Sequence, residues 1–213
     1  MSRPRYARYA GLLGLLIAAL VVISTLLVKS NGAAGIAPGR KLAPFAVPLA
    51  LASLQGDANV ATRAHQGSAG EVPACKVRGA QILNVCQLYE QGPVVLALFV
   101  DGGGCQTILG EMQALVQSFP EVRFAAVAIE GQRSQLRRLV RSHRLSVPVG
   151  IDEDGALVSL YKVFSCPQVN FAYPGGVVQS KALLRTPSLG ELRARVRELV
   201  AASRAHGWRG SRV

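Results

Sequence analysis

Two continuous apolar runs stand in the middle of the chain, with a segment of helical spacing between them. The runs are VVLALFV at 94–100 and VRFAAVAI at 122–129, and such runs are typical of strands that are buried on both faces. Between the runs, Pro120 ends a segment whose apolar residues recur at helical spacing: Ile108, Met112, Leu115, Val116 and Phe119. The pattern predicts a strand, a glycine-rich turn at 101–104, a helix and a second strand.

The alternation of helix and strand continues after residue 129 and then changes to a hairpin. The expected elements are an amphipathic helix at 132–144, a short apolar strand at 147–151, a turn at 152–155, a short helix at 156–163, hairpin strands at 168–172 and 177–182, and a closing helix at 188–202. Alternation followed by a hairpin favours a three-layer α/β sandwich around a mixed sheet. This is the predicted fold class.

The segment that precedes the first buried strand has weaker patterns. Residues 45–49 (FAVPL) predict a short extended piece, which its prolines restrict to the edge of a sheet. Residues 56–70 are polar and predict a loop. Residues 72–92, which carry Cys75 and Cys86, are interpreted as a second irregular stretch.

The N-terminal part of the chain has the pattern of a membrane segment. Residues 10–28 are almost wholly apolar, and about 20 such residues span a bilayer as a helix. Three arginines precede them without an acid, which favours a cytoplasmic N-terminus and export of everything after Lys29. A cleaved signal peptide is the alternative. The predicted organisation is a basic N-terminus at 1–9, a transmembrane anchor at 10–28, a linker at 29–43, one folded domain at 44–203 and a basic tail at 204–213.

The chain is strongly basic, with a formal net charge of +12. A basic protein can be drawn to nucleic acid or to an anionic membrane surface. Aromatic residues do not alternate with the cations, as binding of single strands would require, so no nucleic-acid partner is expected. The arginines are interpreted mainly as solvated surface charge, and no metal or organic cofactor is indicated.

The four cysteines fall into two kinds by position. Cys75 and Cys86 are close in sequence. A disulfide between them would close a short loop and stabilise the folded state by on the order of 2–3 kcal/mol. We expect it to be structural. Cys105 instead follows a buried strand and a run of three glycines at the start of a helix, where amide N–H groups and the helix dipole stabilise a thiolate. Cys105 is therefore the candidate nucleophile. The disulfide pairing itself stays open, because four cysteines in an exported protein allow three pairings.

The most informative stretches of the chain are GPVVLALFVDGGGCQTILGEMQAL at 92–115, VRFAAVAI at 122–129 and YKVFSCPQVNFAYPGGVV at 161–178. Together they resemble the thioredoxin superfamily. The resemblance is to its membrane-anchored thiol–disulfide reductases of the cytochrome-maturation (TlpA-like) type and to related redoxins (AhpC/TSA-like), and it covers about residues 44–201. It implies a thioredoxin-like fold.

The motif of this chain departs from that of the family. The family carries Trp-Cys-x-x-Cys at the start of the helix, and the register of Glu111 and Met112 aligns Cys105 with the first cysteine. Gly104 stands in place of the tryptophan and Ile108 in place of the second cysteine. Ordinary redox cycling between two cysteines of one CxxC motif is therefore not expected.

The resemblance also implies a second cysteine near Cys105. The family's cis-proline packs beside the active cysteine, and Pro167, directly after Cys166, fits that place. The resulting hypothesis is a thiol–disulfide oxidoreductase that acts on exported proteins with thiols or disulfides, in which Cys105 attacks, Cys166 resolves and Pro167 shapes the substrate groove. The alternatives are a catalytically silent binding module held by disulfides, in which Cys105–Cys166 is a permanent bridge, and a peroxiredoxin-like peroxidase.

Overall fold

The protein divides into two compact units, Met1–Ala33 and Ala34–Val213. The computed structural model describes residues 13–20, 22, 34–54 and 72–210. In the first unit, residues 13–20 are helical and expose apolar side chains. Among the described residues there is no helix with the length and apolar character that a bilayer crossing needs. The anchor predicted at 10–28 extends into residues outside the described ranges and stays a prediction.

The second unit is built on a four-stranded mixed sheet. Its strands are β3 (Val94–Phe99), β4 (Arg123–Ile129), β5 (Val149–Asp152) and β6 (Gln168–Ala172), in the spatial order β5-β4-β3-β6. The pairs β3–β4 and β4–β5 are parallel, whereas β3 and β6 are antiparallel. All six residues of β3 are buried, as its uninterrupted apolar run predicted. The mixed sheet is confirmed.

Helices cover both faces of this sheet and form the outer layers. They are α1 (Val85–Gln91), α2 (Thr107–Val116), α3 (Arg133–Ser142), α4 (Ala156–Tyr161) and α5 (Leu189–Ala205). One hydrophobic cluster joins the sheet to α2, α3 and α5 through Ile108, Leu136 and Leu192. A second lies on the other face and includes Tyr89 and Tyr161. Because both clusters lie wholly within Ala34–Val213, this unit has a complete core of its own.

The folded unit begins earlier than the sequence predicted. The last residues of the predicted linker pack against the domain: the Gly35 N–H donates to the Lys162 carbonyl at 3.1 Å, and Leu42 is buried. The Val178 N–H donates to the carbonyl of Arg40. The predicted hairpin is formed only in part, because its second arm pairs with β6 through separate bridges at Val178 and Leu183 rather than as a continuous strand.

The stretch at 72–92 is ordered rather than irregular, which corrects the sequence interpretation. It contains a 3₁₀ turn (Ala74–Lys76), strand β2 (Ile82–Asn84) and helix α1. Strand β2 pairs antiparallel with β1 (Ala46–Pro48) in a separate two-stranded sheet. The seven residues of α1 are too few to show a clear helical period. The helix is stabilised by the cap from Asn84, directly before it, and by packing of Val85 and Tyr89 in the second core cluster.

Candidate active site

The first half of the site is the turn between β3 and α2. After β3 the chain passes through Gly102, Gly103 and Gly104, whose φ angles are 124°, 60° and 82°. A Cβ atom at any of the three would meet nothing within 4 Å. The left-handed backbone, and not lack of space, therefore selects glycine here. All three glycines are exposed, and Cys105 directly after them is half-buried.

Hydrogen bonds within the turn fix the position of Cys105. Its N–H donates to the Gly102 carbonyl at 3.1 Å, while the Gly104 carbonyl accepts from the N–H and Oγ1 of Thr107 at 3.2 and 2.7 Å. The helix begins at Thr107. Cys105 thus precedes the helix by two residues, whereas the sequence placed it at the helix start.

Ile108, at the position of the second cysteine of a CxxC motif, belongs to the hydrophobic core. Its side chain is fully buried and lies in the cluster with Met112 and Phe99. Any partner of Cys105 must come from another part of the chain.

The second half of the site is the segment that leads into β6. Helix α4 ends at Tyr161, and Lys162 directly after it has a φ of 49°. The Ser165 hydroxyl donates to the Leu184 carbonyl at 2.6 Å, so the segment is held against a neighbouring loop. The Cys166–Pro167 peptide bond is cis, as the family resemblance implied, and Pro167 is buried.

The sheet register brings the two halves together. Leu98 of β3 lies opposite Gln168 of β6, so the residues just beyond them, Val100 and Cys166, are neighbours. Cys105 and Cys166 form a disulfide with their Cα atoms 5.6 Å apart, within the range of ordinary disulfides. The Val100 N–H donates to the Cys166 sulfur at 3.2 Å.

The surroundings of this disulfide are open and partly apolar. Both cysteines are half-buried rather than enclosed. Phe164, two residues before Cys166, is 84% exposed, and Val100 is 45% exposed. An attacking thiol can therefore reach the disulfide, and an apolar partner can contact the side chains beside it.

The second disulfide joins Cys75 to Cys86, with Cα atoms 5.3 Å apart. Cys86 is buried in α1 and belongs to the cluster on the opposite face from Ile108. The buried Asn84 holds this region together, since its side-chain amide donates to the carbonyls of Ala74 and Val77. The pairing of Cys75 with Cys86 is the one considered from the sequence, and its structural role stays a prediction.

Three hydrogen-bonding groups of the domain were not identified from the sequence. The Val100 amide could not be found, because its partner is 66 residues away. Asn84 has a local signal, an Asx residue directly before a helix. Asp152 was assigned to a turn; it is fully buried at the end of β5 and accepts hydrogen bonds from the N–H groups of Ala156 and Leu157.

Two further features describe the chemistry of the domain. Within residues 13–20, 22, 34–54 and 72–210, no three His, Cys, Asp or Glu side chains come together as a metal site would need. Burial raises the pKa of Tyr161 well above its usual value, and the Tyr161 hydroxyl donates to the Ala43 carbonyl at 2.8 Å. Tyr161 lies in the second core cluster, whereas Cys105 and Cys166 pack against the first.

Comparison with known proteins shows what this domain is similar to. Neither protein-family models nor curated proteins gave a match. Among solved structures, a protein assigned as a thiol:disulfide interchange protein DsbE from Chlorobium tepidum matches with a TM-score of 0.57 and 13% identity, over 79% of this chain and 98% of that one. The thioredoxin domain of the thiol-disulfide oxidoreductase BVU-2223 from Bacteroides vulgatus matches with a TM-score of 0.56 and 11% identity, over 78% and 99%. Peroxidoxin BcpB from Mycobacterium tuberculosis matches with a TM-score of 0.53 and 16% identity, over 80% and 97%.

Proposed function

Because this domain has the thioredoxin-like fold, we propose that the protein is a thiol–disulfide oxidoreductase whose redox pair is Cys105 and Cys166. One observation carries the proposal. An accessible disulfide joins the turn before α2 to the residue before a cis-proline, at the carboxyl end of a parallel strand pair. Functional crevices of open α/β sheets lie at this end of the strands.

The reaction is an exchange of one disulfide for another. A thiolate of a substrate dithiol attacks the Cys105 sulfur, the Cys105–Cys166 bond breaks, and Cys166 leaves as a thiolate. The second substrate thiol then attacks the mixed disulfide and releases Cys105. The substrate loses two electrons and two protons and becomes a disulfide, and the protein gains them as two thiols. In the reverse direction, reduced Cys105 attacks a substrate disulfide and Cys166 resolves the mixed disulfide.

The structure supports Cys105 as the attacked sulfur and Cys166 as the leaving group. The Val100 N–H already points at the Cys166 sulfur, and an N–H donor stabilises a thiolate more than a thiol. Cys105 is half-buried and directly follows an exposed glycine turn, so an incoming thiol can approach it from the side of the turn. Pro167, directly after Cys166, is buried.

We also propose that the domain acts outside the cytoplasm, behind the predicted anchor at 10–28. The proposal rests on the apolar sequence of that segment and on the two disulfides, which persist in oxidising compartments. The expected partners are exported proteins with thiols or disulfides.

A redox titration of residues 34–213 tests the function. A catalytic Cys105–Cys166 pair should equilibrate with glutathione buffers at a potential near or above about −200 mV, whereas a permanent bridge lies below about −300 mV. The Cys75–Cys86 disulfide is the internal control and should stay oxidised throughout. Cys166→Ser should accumulate mixed disulfides through Cys105, and Cys105→Ser should not.

The redox titration, together with an assay of peroxide consumption, separates the alternatives. A Cys105–Cys166 bond that only strong reductants break would exclude the oxidoreductase and leave a silent binding module. Peroxide consumption that Cys105→Ser abolishes, without dithiol oxidation, would instead indicate a peroxidase.

A further inference from the structure

The two ends of the parallel strands differ in charge. Asp101, Glu130 and Asp154 follow β3, β4 and β5, at the edge that carries the Cys105–Cys166 disulfide. Helix α3 runs back from this edge, and its last turn lies beside the start of β5 at the opposite edge. There the chain has no acid between residues 131 and 151. The loops at the disulfide edge are therefore anionic. The end of α3 at the opposite edge, called the cationic edge below, carries only positive charges, and Glu121 near the start of β4 is paired with Arg204.

Three arginines of the cationic edge face solvent. Arg138, Arg141 and Arg144 are exposed, and none forms an ion pair with a residue that the structure describes. The other two arginines of the segment have partners inside the domain. Arg133 pairs with Glu153 at 3.0 Å, and Arg137 donates to the carbonyls of Ala50 and Ala52.

Exposed apolar side chains lie next to these arginines. The bonds from Arg137 hold residues 50–52 against α3, and Leu51 in this segment is 49% exposed. A shallow groove of about 200 Å³ runs between this segment and the end of α3, and its walls include Leu51, Val140, Leu145 and Pro148. Leu54, at the end of the described segment, is exposed as well.

From this combination we propose that the cationic edge binds the surface of an anionic phospholipid bilayer. Arg138, Arg141 and Arg144 would contact head-group phosphates, and Leu51 and Leu54 would enter the interface between head groups and acyl chains. Cations beside exposed leucines are the arrangement of proteins that lie on membranes. Nucleic acid is the weaker candidate for the same charges, since residues 131–151 contain no Phe, Tyr or Trp side chain for base stacking.

The charge difference between the edges also orients the domain. An anionic bilayer attracts the arginine edge and repels the edge with Asp101 and Glu130. The disulfide would then face away from the lipid, towards soluble partners. This orientation does not depend on whether Cys105–Cys166 is a redox pair or a permanent bridge.

Vesicle co-sedimentation of residues 34–213 tests the proposal. This unit has its own core, and it omits the apolar segment at 10–28, which would bind lipid by itself. Vesicles contain either phosphatidylcholine alone or phosphatidylcholine with one-third phosphatidylglycerol, in buffer of physiological ionic strength. Binding should occur with the anionic vesicles and be at least tenfold weaker with the neutral ones.

Two sets of variants identify the surface. Replacement of Arg138, Arg141 and Arg144 by Gln should weaken binding about a hundredfold, at roughly fivefold for each cation near the lipid surface. Leu51→Ser with Leu54→Ser should weaken it about tenfold. The matched control replaces the exposed Lys162, Lys181 and Arg197 by Gln. It removes the same net charge and should change binding less than twofold, because charges more than about 8 Å from the lipid are screened.

Three results would overturn the proposal. The first is absence of binding to anionic vesicles. The second is an equal effect of the arginine set and its control, which would mean a non-specific attraction of a basic protein. The third is unchanged binding in the double leucine variant, which would mean that Leu51 and Leu54 do not enter the bilayer.

Discussion

Asn84 offers a quantitative test of how the region around the Cys75–Cys86 disulfide is stabilised. Its side chain is only 2% exposed and makes four hydrogen bonds. The Nδ2 group donates to the carbonyls of Ala74 and Val77 at 2.7 Å each. The Oδ1 atom accepts from the N–H groups of Cys86 and Gln87 at 2.8 and 3.2 Å. Asn84 thus caps α1 and binds it to the 3₁₀ turn.

The expected loss of stability follows from these contacts. Asn84→Ala removes the helix cap, worth about 1 kcal/mol, and leaves two carbonyls without their donor, at about 1 kcal/mol each. The total of about 3 kcal/mol corresponds to a fall in Tm of about 6–12 °C for a domain of this size. Asn84→Ser keeps an oxygen that can cap the helix but has no amide, so it should lose about 2 kcal/mol.

Urea and thermal unfolding of residues 34–213, followed by far-UV circular dichroism, measure these differences. Gln91→Ala, at the exposed end of the same helix, is the control and should change stability by less than about 0.5 kcal/mol. The reasoning is refuted if Asn84→Ala costs less than about 1 kcal/mol, or if Asn84→Ser is no more stable than Asn84→Ala.

Further predictions concern packing, pH and the open face of the site. Gly176→Ala would place a Cβ 2.6 Å from the Tyr89 ring at a φ of 88° and should lower the unfolding free energy by about 2–4 kcal/mol. Gly175→Ala, with the same φ but open space, should cost about 1 kcal/mol; equal losses by urea unfolding would contradict the steric argument. Because burial raises the pKa of Tyr161, its stabilising contribution is present below about pH 10 and is lost as pH rises above it. Tyr161→Phe should therefore lose less stability than the parent between about pH 10 and 11, and parallel pH profiles would exclude this cause. Phe164→Ser should leave Tm unchanged but slow oxidation of a reduced protein substrate about fivefold, with no effect on dithiothreitol; equal slowing of both would show that Phe164 does not contact substrate.

The helices and strands of the core were predictable because their signals are local. A strand buried on both faces reads as an uninterrupted apolar run, and β3 and β4 lie within one residue of the predicted runs. Helix α1 was missed for the opposite reason. It has seven residues, and the Asn84 side chain that caps it binds carbonyls seven and ten positions back. A short helix supported by such contacts leaves little periodicity in the sequence.

The sequence by itself determined that Cys105 follows a buried strand and a glycine turn, and that Cys166 precedes a proline. Only the resemblance to redoxins linked them, since hydrophobic spacing specifies which face of a strand is buried but not which distant strand lies beside it. Their meeting across 61 residues was decided by the antiparallel register of β3 and β6. The same register delivered the Val100 amide to the Cys166 sulfur, and tertiary packing left Ile108 in the core rather than at the site.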